Sequence, residues 1–216
     1  MINTKDQGEL LELISKYIDQ DIECYALGGT AMMFYGYKNT TRDIDLLFQT
    51  RKELEVFIEA IKQLGYKEMS IKGIYPEKRL KSSSKPLMFT RGDERFDLFL
   101  NKIFGFKITD KIKERFFSRH DFIGKKELIV KILSKEDIIL LKAITKREKD
   151  FEDIQTIIEQ DKDINWDFII DEAITQRKQN EWILIDLEET MKQLKEITFL
   201  PSKLFKRIYA EENKYR

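Results

Sequence analysis

Two short apolar runs carry carboxylates in their interior, and this narrows what the 216-residue chain can become. The first, Arg42-Asp43-Ile44-Asp45-Leu46-Leu47-Phe48, sets Asp43 and Asp45 two positions apart. In a strand, side chains at i and i+2 leave the same face, so both carboxylates point one way while Ile44, Leu46 and Phe48 pack the other. Carboxylates held side by side repel unless a cation lies between them, and burying them unpaired is costly. The second run, Arg95-Phe96-Asp97-Leu98-Phe99-Leu100, holds a lone acid among apolar neighbours. Adjacent strands lie about 4.8 Å apart, so pairing the two runs joins Asp97 to Asp43 and Asp45. Hard carboxylate oxygens suit Mg²⁺ or Mn²⁺. Two such ions about 3.5–4 Å apart can clamp the attacking and leaving oxygens of an in-line displacement.

A third element precedes these runs. Residues 23–27 read as a buried strand ending in Gly28-Gly29-Thr30, and 30–36 read as a short helix. Glycines let backbone approach a phosphate closely, a helix start offers free N–H groups, and the Thr30 hydroxyl adds a donor. The P-loop pattern GxxxxGK[ST] is absent.

Periodicity organises the rest. It predicts helices over 6–19 and 51–64, the latter stopped by Gly65, and strands over 44–48, 86–90 and 95–100. Arg91-Gly92-Asp93-Glu94 reads as hairpin turn chemistry. The lysine-rich stretch 66–85, with Ser82, Ser83 and Ser84, reads as a loop or loose hairpin arm. A short helix over 109–117 and a strand over 127–133 follow. Beyond Ser134 and Asp137, an S-x-x-D start signal, every segment is helical: 134–146, 149–160, 166–178, 182–196 and 202–213. The expected architecture is α+β, with an α/β domain at 1–133 and an all-helical domain at 134–216.

Composition excludes several classes. Lys+Arg and Asp+Glu each total 39, so the chain is no bulk polycation. One cysteine, Cys24, rules out an internal disulfide, and the single His120 argues against a His-based metal site or triad. Cys24, Trp166 and Trp182 read as core residues. The amino-terminal MINTKDQGELLELI lacks the charged-then-apolar signal pattern, and no apolar run nears the ~18 residues of a membrane helix. The expectation is a cytoplasmic protein. Charge is uneven along the chain: 101–149 holds 14 Lys/Arg against 7 Asp/Glu, whereas 150–172 holds 1 Lys against 9 Asp/Glu. A basic stretch of this kind can hold a polyanion by its phosphates.

Taken together, strand, Gly28-Gly29-Thr30, helix, Asp43-Ile44-Asp45 and a distant apolar Asp97 strand resemble the nucleotidyltransferase fold of the DNA polymerase beta-like superfamily. A narrower likeness runs from Gly28-Gly29-Thr30-Ala31 through Tyr35-Gly36 to Thr41-x-Asp43-Ile44-Asp45-Leu46. It continues in Asp137-Ile138-Ile139-Leu140-Leu141-Lys142 and Lys149-Asp150-Phe151-Glu152-Asp153-Ile154. These segments are similar to the AbiEii-type nucleotidyltransferases, toxin halves of type IV toxin–antitoxin pairs, over roughly residues 23–160. The resemblance implies a mixed sheet flanked by helices and pyrophosphate-releasing transfer of an NMP from an NTP. It implies Asp43, Asp45 and Asp97 as catalytic metal carboxylates on Mg²⁺ or Mn²⁺, and Gly28, Gly29 and Thr30 against the triphosphate. It also implies Lys142 near the nucleotide phosphates, Lys149 in support, and Asp150 and Asp153 orienting these lysines or binding base or acceptor. The implied partners are the NTP, an RNA acceptor such as tRNA, and an antitoxin protein.

Two rival readings keep the fold. One is a non-catalytic nucleotide-, RNA- or partner-binding module. The other is an antibiotic-type enzyme with a small-molecule acceptor, to which the acidic 150–172 stretch would suit a cationic substrate.

Overall fold

The structure, a computed structural model, describes residues 1–69 and 85–214. Most of the expected arm at 66–85, with its serine run, lies outside the described residues. The chain divides into two compact units, Met1–Ser134 and Lys135–Arg216.

The first unit runs β1 (Ile2–Asn3), α1 (Thr4–Ser15), β2 (Ile22–Ala26), α2 (Gly28–Phe34), β3 (Thr40–Thr41), β4 (Ile44–Phe48) and α3 (Arg51–Gln63). It continues through β5 (Lys67–Met69), β6 (Leu87–Arg91), β7 (Glu94–Leu100), β8 (Lys102–Ile103), β9 (Phe106–Lys107), α4 (Asp110–Glu114), β10 (Ser118–Ile123) and β11 (Glu127–Ile132). Seven strands form one mixed sheet in the order β10-β11-β2-β4-β7-β6-β5. The β11–β2 and β4–β7 pairs are parallel; β10–β11, β2–β4, β7–β6 and β6–β5 are antiparallel.

The register matters most between β4 and β7, where Asp45 lies opposite Asp97 and Ile44 opposite Phe96. The apolar face of this pair packs on α3, whose Phe57 meets Phe48 and Phe96 with ring centroids 5.2 and 5.5 Å apart. Thr50 and Glu53 close a reciprocal capping box at the start of α3, so the chain turns directly from β4 back over the sheet. Leu47, on the same side as Asp45, is also buried, so β4 is covered on both faces rather than one.

The β6–β7 hairpin turns through Gly92 at a positive φ of 57°. Arg91 there bonds Glu94 and the Leu64 carbonyl, so the Arg-Gly-Asp sequence is hairpin structure. The short strands β1, β3, β5, β8 and β9 were not expected, and neither was one longer element. Residues 118–123 form the edge strand β10, paired with β11 along six residues, and the helix expected over 109–117 shrinks to Asp110–Glu114.

The second unit holds α5 (Lys135–Thr145), α6 (Glu148–Gln160), α7 (Trp166–Gln176), α8 (Ile183–Leu194) and α9 (Ser202–Asn213). Helix α5 is buried at every residue from Asp137 to Thr145 and packs against α6, α7 and α8. A helix buried all round, with its few buried polar groups paired, belongs at a centre. Trp182 departs from expectation: it occupies the cap before α8 and is exposed. Among the described residues there are nine helices, and none is long and apolar enough to cross a membrane.

Candidate functional site

The three aspartates converge in the first unit. One carboxylate oxygen from each of Asp43, Asp45 and Asp97 falls within 4.8 Å of the other two. The parallel register produces this: Asp97 sits opposite Asp45, and Asp43 lies just before β4 on the same side. Asp97 is 1% exposed, while Asp43 and Asp45 are half-buried.

Arg95 enters the same cluster, and sequence reasoning passed over it. Its Nη2 donates to Asp43 Oδ2 and, at 3.3 Å, to Asp97 Oδ2. Its Nε lies 2.9 Å from Asp97 Oδ1 as an ion pair, not an aligned hydrogen bond. The signal was present in the chain. Arg95 precedes Asp97 by two, so it shares that strand's acidic face, and continuing the ladder past Ile44 and Phe96 brings it beside Asp43.

The glycine turn is built against this cluster. Gly28 has φ +57°, and a Cβ placed on it would lie 2.4 Å from Asp45 Oδ2. A Cβ on Gly29 would lie 2.5 Å from Thr41 Oγ1. Both glycines are thus required by the protein's own packing, before any phosphate is considered. Leu27 holds the cap position of α2, and no side chain caps the helix. Gly28→Ala should therefore cost about 1–2 kcal/mol for the left-handed backbone alone and push the Asp45 carboxylate aside. Denaturant titration of the variant measures the loss; an unchanged midpoint would contradict this account.

Thr30 differs from expectation. It is 0% exposed, and its hydroxyl accepts the Asp45 N–H at 2.8 Å and donates to the Asp43 carbonyl at 3.5 Å. Both hydrogen-bonding directions of the hydroxyl serve the Asp43–Asp45 backbone, so Thr30 positions the carboxylates.

No protein-family model matches the chain, and no curated protein matches it in sequence.

The remaining candidates lie in the helical unit. Lys142 is 5% exposed, with Nζ 3.2 Å from Asp150 Oδ1 and 2.6 Å from Asp153 Oδ2. Asp150 also accepts from Thr145 and Arg147. Burial pushes the Asp150 carboxyl up, but the Arg147 hydrogen bond and the Lys142 charge outweigh it and hold it below its ordinary value. These groups tie α5 to α6 across the intervening turn, where Lys146 takes a positive φ of 51°.

The Lys142 ammonium, expected near phosphates, is thus engaged by two carboxylates inside the helical unit. Asp153 takes its ion pair from Lys142, while Lys149 is exposed on α6. A cavity of about 370 Å³ above this network is lined by Lys142, Lys146, Arg147, Phe151, Glu189 and Gln193. Its cations are matched: Lys146 pairs with Asp186 and Glu189, and Arg147 with Asp150.

Proposed function

We propose that the chain is a metal-dependent nucleotidyltransferase of the DNA polymerase beta-like class, related to the AbiEii-type enzymes. It moves an NMP from an NTP to a hydroxyl on an RNA end, with tRNA the foremost acceptor, and acts as the toxin of a pair with an antitoxin protein. The observation that carries this reading is the meeting of Asp43, Asp45 and Asp97 beside a glycine turn that touches Asp45. Three hard oxygens within that distance match the ligand type that Mg²⁺ or Mn²⁺ takes. A divalent ion held there would supply positive charge at the reacting phosphate.

The chain's own residues account for the rest. Gly28 and Gly29 offer backbone N–H groups to the triphosphate next to Asp45. Thr30, turned inward, fixes the spacing of Asp43 and Asp45. Arg95 holds Asp43 and Asp97 toward one another. In that frame the α-phosphorus is presented to the acceptor hydroxyl; the hydroxyl gives its proton to the Asp97 carboxylate, and the new O–P bond forms as the bond to pyrophosphate breaks. In-line positioning of this kind is worth orders of magnitude in rate. In the helical unit, Lys149 is the exposed cation of the Lys-Asp-x-x-Asp segment and suits a phosphate, while Asp150 and Asp153 keep Lys142 as scaffold.

One observation favours a second reading. Arg95 already supplies a cation to Asp43 and Asp97, as it would in a non-catalytic nucleotide- or RNA-binding module. Label transfer separates the two. The protein, with Mg²⁺ or Mn²⁺ and each α-³²P-labelled NTP, is incubated with total tRNA, beside a variant carrying Asp43→Ala and Asp45→Ala. Label on RNA that disappears in the double variant is the expected result and names the base. No label from any NTP with a folded protein would overturn the enzyme reading in favour of the module.

A further inference from the structure

At the end of α2 away from the aspartates, three aromatic rings stack in series. Tyr35 and Tyr37 lie 4.8 Å apart between centroids at 8°, and Tyr35 and Phe117 lie 3.8 Å apart at 18°. Two such near-parallel neighbours cannot share one face of Tyr35, so Tyr35 is the middle ring and Phe117 an end ring. Phe117 is 52% exposed while stacked on Tyr35, so the ladder ends in an exposed ring. Beside the ladder, Phe34 packs on His120 with centroids 4.5 Å apart, which fixes the end of α2 against the edge strand β10.

An isolated exposed phenylalanine is ordinary. A pre-stacked ladder ending in an exposed ring, on a cation-rich stretch of chain, is a different object. From Gly28 to Arg42 there is no carboxylate, and Lys38 and Arg42 follow the two tyrosines. Arg115 and Arg119 flank Phe117 at two residues on either side, Arg119 being paired with Asp121 and Glu127, and residues 101–133 carry nine Lys/Arg against four Asp/Glu. Aromatic faces interleaved with cations are how proteins hold unpaired nucleobases: the ring stacks the base and the cations hold the phosphates. Bases inside a duplex are already stacked on both faces and offer none to such a ring.

We infer that the Tyr37–Tyr35–Phe117 ladder is a stacking platform for an unpaired base of a single-stranded RNA end. As a statement about the acceptor strand it rests on the transfer reading above; as a binding site it does not. The helix α2 starts at Gly28 against Asp45 and carries the chain about 10 Å along its axis to Tyr35, at 1.5 Å per residue.

Equilibrium binding tests this without turnover. Fluorescence anisotropy is measured in EDTA with a labelled RNA of about twelve nucleotides, single-stranded and as a duplex of the same sequence. Phe117→Ala is expected to weaken single-strand binding about five- to hundredfold, the range for one lost aromatic–base stack, and to leave duplex binding within about twofold. Phe117→Trp is expected to restore binding, with its indole fluorescence quenched by the strand. Phe199→Ala, which removes an exposed ring in the helical unit, serves as control and is expected to change nothing.

The inference fails if Phe117→Ala binds the single strand as tightly as wild type, or if it loses duplex binding equally. It also fails if a free NTP displaces the strand and Phe117→Ala instead weakens NTP binding, because the platform would then belong to the incoming nucleotide. Label transfer to RNA with no effect of Phe117→Ala on binding would sink this inference alone. Strand binding that depends on Phe117, with no transfer from any NTP, would sink only the enzyme reading.

Discussion

Asp45→Asn is expected to lower label transfer at least ~100-fold while leaving the fold intact. The magnitude is that of losing one preorganised electrostatic group at a reacting centre. Asp45 is the better site for the test than Asp97. Removing the Asp97 charge also breaks its ion pair with Arg95 at a buried position, so a fall in activity would be mixed with a fall in stability. Asp45 is held by its backbone: its N–H donates to Thr30 Oγ1 at 2.8 Å, and its carbonyl accepts from the Leu27 N–H at 3.3 Å. Asparagine keeps both bonds and nearly the same volume and removes one charge. Transfer assays beside urea unfolding curves separate the two effects. An Asp45→Asn variant as active as wild type, with the wild-type midpoint, would remove Asp45 from the reacting centre.

Lys142→Met is expected to destabilise the protein by about 3–5 kcal/mol, the cost of taking away one partner of a buried ion pair. The variant leaves Asp150 and Asp153, 2% and 4% exposed, facing the gap left by their ammonium. Lys149→Met, on the exposed side of α6, is expected to stay within about 0.5 kcal/mol of wild type. The helical signal in urea unfolding reads both.

The sign of the pH dependence follows from Asp150. Its native pKa lies below its ordinary value, so it contributes stability above that value and loses the contribution as pH falls through the native one. Replacing Lys142 removes one of the charges that holds it low. The deficit of Lys142→Met is therefore largest near neutrality and shrinks in acid, where the carboxylates protonate. A Lys142→Met protein of wild-type stability at pH 7 would show that the network is not what joins α5 to α6.

Much of the site was legible in the chain because strand geometry is local. The i, i+2 spacing of Asp43 and Asp45 and the isolated acid at Asp97 dictate carboxylates on one strand face, whatever surrounds them. The helices of the second unit were legible for the same reason: a 3.6-residue apolar period reports the face a helix buries. Edge strand β10 was not. Ser118–Ile123 alternates half-buried and exposed residues without an apolar run, and it is a strand only because β11 supplies its hydrogen bonds. Trp182 misled because an aromatic at a helical position says nothing about which side of the cap its ring takes.

The roles of Thr30, Arg95 and Lys142 depended on contacts that no local pattern contains. Thr30 carries a hydroxyl suited to a phosphate, yet the return of the chain at Asp43–Asp45 meets both its hydrogen-bonding directions. Arg95 becomes the partner of Asp43, 52 residues away, only through the β4–β7 register. Lys142 becomes an internal tie only because α6 folds back to present Asp150 and Asp153. By itself the sequence determined which residue types exist to carry charge and which backbone segments can hold them, since propensity and periodicity act over a few residues. Tertiary structure decided which of those charges neutralise one another inside the protein, because ion pairing acts across space and is set by which strands and helices become neighbours.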